Sequence, residues 1–228
     1  MSTYTGWHFT EAQHHGRDGW PLQEVEELPT GTKPILCEIG LHASKSALDA
    51  LSYAPGPFVS RVRLEGTVVV GDDKACATRR VRLAGPVDAS RELRLFAADC
   101  AEHVLPIFEK EYPGDDRPRK AIEVARRFAA GLASGDELRD AWSDAGSAAW
   151  AAKWDAWAAA GSAAWAARAG ARDAARAAAG SAAWDAWDAA WCSAGGAAAA
   201  GGGARYSERQ RQEETLTRHL EAALREMA

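Results

Sequence analysis

The sequence predicts an α+β protein: a small β-rich N-terminal domain with one short helix, then an all-α helical bundle or hairpin array rich in alanine and tryptophan. Three observations carry this. Over residues 58–70, Val59, Val62 and Leu64 alternate with Arg61, Arg63 and Glu65, as in a strand with one buried face. Leu93, Phe96, Cys100, Val104, Ile107 or Phe108, and Tyr112 recur at three- and four-residue steps, which is one face of an amphipathic helix. From Ala141 to Gly203 nearly half of the residues are alanine, the strongest helix former.

The whole chain has 228 residues, a net charge of −5 and a pI near 5.7. That length holds one or two domains with a real core. We place them at 1–86 and 87–228. An acidic balance argues against nucleic-acid binding, which needs a basic surface. The four cysteines, Cys37, Cys76, Cys100 and Cys192, show no CxxC spacing. They read as reduced thiols rather than a disulfide framework or a zinc site. No metal and no cofactor is expected. The longest uncharged run, Ala189 to Ala204, is shorter than the roughly 20 residues of a membrane span. Met1 to Thr10 lacks the regions of a signal peptide, so the expected location is cytoplasmic.

In chain order, Gly6-Trp7-His8-Phe9 opens a strand. Residues 10–32 are polar and punctuated by Gly16, Gly19, Pro21, Pro29 and Gly31, which reads as loop. Lys33 to Ile39 is an apolar run ending at Gly40, read as a buried strand. Ser44 is placed to cap a helix whose apolar face is Ala47, Leu48, Leu51 and Ala54. Pro55-Gly56-Pro57 ends it. The 58–70 strand bends at Gly66. Gly71-Asp72-Asp73 is a turn, and Ala75 to Leu83 returns as a hairpin strand with Val81 and Leu83 in phase.

The polar residues of this domain that suit chemistry are His8, Cys37, His42, Tyr53, Lys74, Arg79 and Arg80. Each also has an ordinary structural role. Cys37 in an apolar run fits a small buried hydrophobe, and Lys74 after two aspartates fits a solvated turn. There is no glycine-rich phosphate loop, no HExxH and no GxSxG.

Gly6-Trp7-His8-Phe9, Cys37 to Ser44, Ala47 to Gly56 and Asp72 to Arg80 together resemble an uncharacterised domain frequent in bacteriophage and prophage genomes. The resemblance spans about the first 100 residues and implies a mobile-element setting. The recurrent polar positions of that pattern fall on His42, Tyr53 and Lys74. These, with Arg79, are the candidate ligand-binding residues.

In the helical part the expected segments are 87–112, 117–131, broken helices over 136–200 and a closing helix at 205–227. Pro106 should kink the first helix or start a new turn. Asp116 caps the second, with Pro118 in its first turn and Ile122, Ala125, Ala129 and Leu132 lining one side. Ser134 and Glu137 form a capping box for the third. Phe96 to Glu109 and Pro113 to Gly131, followed by the alanine-rich stretch, are similar to helical immunity proteins of bacterial polymorphic-toxin systems. That resemblance covers roughly residues 93–190 and implies a protein that binds and blocks a partner toxin.

The alanine-rich stretch has its own pattern. Gly-Ser-Ala-Ala-Trp occurs three times, at Gly146–Trp150, Gly161–Trp165 and Gly180–Trp184. Trp142, Gly146 and Trp150 step by four residues, as do Trp157, Gly161 and Trp165. The pairs 146, 161 and 180, 195 are related by a shift of 34 residues, the size of a helical hairpin repeat. A glycine between two rings on one helix face is a notch for a second helix. Either the tryptophans fill a core, or Trp142, Gly146, Trp150, Trp157, Gly161, Trp165, Trp184 and Trp191 form an interaction surface. Leu216, Leu220, Leu224 and Met227 stripe the closing helix, which packs back or makes half of a dimer seam.

The expected function is a non-enzymatic binding protein of phage or mobile-element origin. It would sequester a protein or small-molecule partner, as immunity or anti-defence factors do, with neither nucleic acid nor membrane as partner. Two alternatives stay open. One is a nucleotide-directed enzyme built on the N-terminal domain, which requires His42, Tyr53 and Lys74 to converge. The other is a structural homo-oligomer closed by the tryptophan notches.

Overall fold

The computed structural model of the chain describes residues 3–11, 23–152 and 204–226. They group into two compact units, one of Met1–Ala89 with Leu220–Ala228 and one of Ser90–His219.

The first unit holds β1 (Tyr4–Thr10), β2 (Val25–Glu27), β3 (Leu41–Ala43), α1 (Ala47–Ser52), β4 (Phe58–Val70) and β5 (Ala75–Asp88). Its spine is the antiparallel β4–β5 hairpin, closed where the Gly71 N–H donates to the Lys74 carbonyl at 2.8 Å. The strand order is β1-β4-β5-β2, and β3 also pairs with β5. The register shifts between Glu65 and Val68. Gly66 sits there at φ +76, a left-handed conformation that glycine adopts without strain. Just past β3, Ser44 exchanges two backbone hydrogen bonds with Trp7 of β1, at 2.7 and 3.1 Å. Trp7, Phe9, Val59, Val62, Leu64, Ala75 and Ala77 are buried. The Arg61 guanidinium lies 4.4 Å from the Trp7 ring centroid, covering it with a cation.

Several expectations change here. The 10–32 loop contains β2, because Val25, Glu26 and Glu27 pair with Val81, Arg80 and Arg79. Lys33 to Ile39 is no strand. The Ile35 N–H bonds to the Ile39 carbonyl at 2.7 Å, and Cys37 takes φ 69 at the tip of this tight turn. Cys37 is exposed rather than buried. Ser46, not Ser44, caps α1: its hydroxyl accepts from the Asp49 N–H at 3.0 Å. Leu83 is 47 % exposed, and the buried residues of β5 are Ala75, Cys76, Ala77, Arg80 and Val87.

The second unit holds α2 (Ser90–Glu111), α3 (Arg117–Ala129), α4 (Gly135–Ala151) and most of α5 (Ala204–Glu226). α2 runs through Pro106 without ending. Pro106 is exposed, so the carbonyl left without its usual donor lies on the wet side of the helix. Leu93, Phe96, Cys100, Val104 and Phe108 are buried in the predicted phase. Each large apolar side chain so buried contributes about 1.5–3 kcal/mol. Val104 and Phe108 pack on Ala148 and Ala149 of α4. At the start of α3 the side chain of Asp116 makes no cap bond, and Asp115 takes that role, accepting from the Arg117 N–H at 3.2 Å. Ile122 and Ala125 are buried, but Leu132 is 69 % exposed, since α3 ends at Ala129. The Ser134–Glu137 capping box is complete, with bonds of 3.2 and 2.8 Å. In α5, Leu216 and Leu220 are fully buried.

Candidate functional site

Three places gather candidate side chains. The first is a corner of the sheet unit. Tyr53, at the C-cap of α1, donates a short hydrogen bond to Asp73 Oδ2. The Lys74 ammonium lies 3.7 Å from the Tyr53 ring centroid. Burial works against the ammonium, but the nearby Tyr53 hydroxyl and Cys37 thiol outweigh it and hold the Lys74 pKa above the usual lysine value. The bond to Asp73, with burial adding to it, raises the Tyr53 pKa.

His42, on β3 opposite Cys76, is in electrostatic reach of the same ammonium. Burial first, then Lys74 and Arg80, lower its pKa, against a bond to the Gly40 carbonyl. Its Nε2 is buried and has no hydrogen-bond partner among the described residues. Tyr53 and Lys74 therefore meet, and His42 stands close to Lys74. Arg79 does not join them. It bridges Glu27 at 2.9 Å and Glu65 at 2.5 Å.

Behind His42 the sheet carries Arg80, only 7 % exposed, paired with Glu26 at 2.6 Å and donating to the His42 carbonyl at 2.9 Å. His8 of β1 has its pKa pushed well below the usual value, first by burial, then by Arg80, His42 and Arg82. The imidazole is therefore neutral at neutral pH. Asp73 is the corner's member that sequence reasoning missed, and Cys37, named there as a residue suited to chemistry, was read as a buried hydrophobe but is exposed. Pro34 and Gly40 flank the Cys37 turn, and their turn chemistry was the available signal.

The second place is a polar groove of about 330 Å³ in the helical unit, lined by Asp99, Glu102 and His103 of α2 and Arg211, Thr215 and Arg218 of α5. Most of its charges are already paired. Arg126 of α3 bonds Asp99 and Glu102 at 2.7 Å each. His219 meets Asp99 at 2.9 Å, and His103 meets Glu208 at 3.1 Å. Glu208 is almost completely buried and takes Arg211 at 2.5 Å. Burial raises the Asp99 pKa, but the bonds from His219 and Arg126 prevail and lower it. This groove is a clasp between helices, with little charge left over for a ligand.

The third place is the outer face of α4. Leu138, Ala145, Ala148 and Ala149 are buried. Trp142 is 40 % and Trp150 is 89 % exposed. A side chain added at Gly146 between them would meet nothing within 4 Å. At 100° per residue, Asp136, Asp140 and Asp144 run along the other flank of this face, and all three are exposed. Trp157, Gly161, Trp165, Trp184 and Trp191 lie outside the described residues.

Among the described residues no three His, Cys, Asp or Glu side chains are grouped to hold a metal ion. No helix among them is long and apolar enough to cross a membrane. A family model described as "Imm-5 like putative immunity protein" matches residues 87–219. No curated protein and no solved structure matches the chain.

Proposed function

The chain belongs to the Imm-5-like immunity protein family, and from that premise we propose that it binds and silences a protein toxin without a reaction of its own. The match over residues 87–219, which takes in the helices, supports this role for them. The observation that carries the contact surface is Trp150, 89 % exposed on a helix whose other face is closed by alanine. An exposed tryptophan of that size is the usual anchor of a protein interface. Asp140 and Asp144, exposed on the other flank of α4, favour a cationic toxin surface and speed its approach. The N-terminal resemblance adds a phage or mobile-element setting.

Co-expression of the full chain with a panel of polymorphic-toxin domains tests this. Growth rescue by one of them, with a complex that survives gel filtration, is the expected result. Trp150→Ala then weakens the complex by about thirtyfold. Asp140→Lys with Asp144→Lys weakens it further and reverses its salt dependence. Rescue without any stable complex would overturn the binding reading. An unchanged affinity in both variants would move the surface away from α4.

A second reading, a small-molecule or enzymatic role for the sheet unit, is supported by the meeting of Tyr53 and Lys74 beside His42.

A further inference from the structure

The groove between α2 and α5 is lined by two short rows. Asp99, Glu102 and His103 face it from α2, and Arg211, Thr215 and Arg218 from α5. Steps of three and four residues put each row on one face of its helix. All six residues lie within the helical unit. Two groups remain outside its ion pairs. Arg218 is exposed and has neither an ion pair nor a hydrogen bond among the described residues. Thr215 is only 7 % exposed, yet it lines the groove, and its hydroxyl has no partner among the described residues. Burying a hydroxyl without a partner is unfavourable. Valine has the same shape without the polar atom, so packing alone does not call for threonine here.

A guanidinium fork with a hydroxyl one turn away is a donor set for a carboxylate. The facing wall selects against a simple anion. Asp99 and Glu102 set two carboxylates there against one permanent cation, Arg126, at 2.7 Å from each. His219 adds a bond to Asp99 at 2.9 Å, while Glu208 takes Arg211 and His103. A phosphate would bring its negative charge against the two carboxylates, and a lone amine would meet Arg218. A molecule carrying both an ammonium and a carboxylate suits both walls. No wholly apolar side chain lines the groove, so the rest of the ligand is polar too. Its volume of about 330 Å³ stands at the small end of the roughly 300–1,000 Å³ of small-molecule sites.

We propose that this groove binds a small zwitterion, a free amino acid with a polar side chain. The carboxylate accepts from the Arg218 guanidinium and the Thr215 hydroxyl. The ammonium faces Asp99 and Glu102, whose oxygens keep lone pairs beyond the bonds they already accept. The ligand bridges α2 and α5 and stabilises the helical unit in proportion to its occupancy. The groove shares no residue with the α4 face assigned to the toxin, so its occupancy is measured with no toxin present.

The test titrates the full chain with L-serine, L-asparagine and L-glutamine, each beside its N-acetyl derivative, which lacks the ammonium, and its amide, which lacks the carboxylate. The readout is the ring-proton magnetic resonance of His103, assigned with His103→Gln. At least one of the three amino acids should shift that signal to saturation, and both of its derivatives should bind about tenfold more weakly or worse. Arg218→Gln should weaken binding by about tenfold and Thr215→Val by about threefold, while Arg218→Lys keeps part of it. Arg218 is exposed and Thr215→Val removes a hydroxyl without a partner, so both variants should melt as wild type does. That separates a ligand contact from a structural one. No saturable shift with any of the three overturns the proposal. So does a pair of derivatives that bind as well as their parent, or an Arg218→Gln affinity equal to wild type.

Discussion

A methyl group at Gly6 of the sheet unit would sit 2.6 Å from the Ser44 carbonyl oxygen, whereas at Gly146 of the helical unit it would meet nothing within 4 Å. The two units are held by different means. In the sheet unit, backbone runs against backbone at β1 and Ser44, and the small residue is what permits the approach. In the helical unit, side chains fill the space: Leu93, Phe96 and Phe108 are buried to 1 % exposure or less. Ion pairs such as Arg126 with Asp99 and Glu102 lie over that core. The first unit should therefore respond most to changes of backbone clearance, the second to changes of volume.

The largest expected effect is in the helical unit. Phe96→Ala should cost about 3–5 kcal/mol, read as a lowered urea midpoint. A loss near 1 kcal/mol would mean that neighbours collapse into the space and that volume is not the controlling quantity. Next comes Gly6→Ala, expected to cost about 1–3 kcal/mol by overpacking. Faster hydrogen exchange at Trp7 and Ser44 would locate the damage at the β1 closure. No change at those amides would break the contrast.

Third is acid. His8 and His42 both have lowered pKa values in the folded state, so the unfolded chain takes up protons first as pH falls. Their contribution is complete above about 6.5 and is lost as pH drops from there through the folded values. Asp99 is also lowered, but its contribution is lost only as pH falls below about 3.9. Between these limits the sheet unit should exchange its amides faster while the Asp99 links hold. His8→Gln should flatten the response. Equal acceleration in both units would remove the distinction.

The smallest effect has the opposite sign. Gly146→Ala should stabilise the helical unit by about 0.5–1 kcal/mol, measured by thermal melting. The same change should weaken toxin binding if the space between Trp142 and Trp150 receives a partner.

Much of this was legible beforehand, where a local rule acts without competition. The β4 alternation, the α2 face through Phe96 and Phe108, and the Ser134–Glu137 box each follow from short-range chemistry. The misreadings share a cause. Ile35-Leu36-Cys37-Glu38-Ile39 has a strand's composition, but a turn between Pro34 and Gly40 outweighs it. Ser44 and Ser46 are equally good caps by type, and the pairing of Ser44 with Trp7 decides between them. Leu132 continues the α3 periodicity, yet the helix has already ended. In the candidate corner, Tyr53, Lys74 and His42 were recognisable as a set, while Arg79 fell away because Glu27 and Glu65 claim it from β2 and β4. Asp73 was missed, and Cys37 was read as buried, because their places are set only once the two turns touch.

The Trp7–Ser44 hydrogen bonds bear on how the protein behaves at high concentration. A bare sheet edge invites a strand from another molecule. Ser44 occupies the middle of β1's outer side. The opposite margin is β2, three residues long and carrying Glu26 and Glu27. Neither border offers the long uncharged stretch that a foreign strand needs to add on. Overexpressed sheet unit should accordingly stay dispersed, and a substitution that frees the Ser44 side should show first as light scattering rather than as a lower melting point.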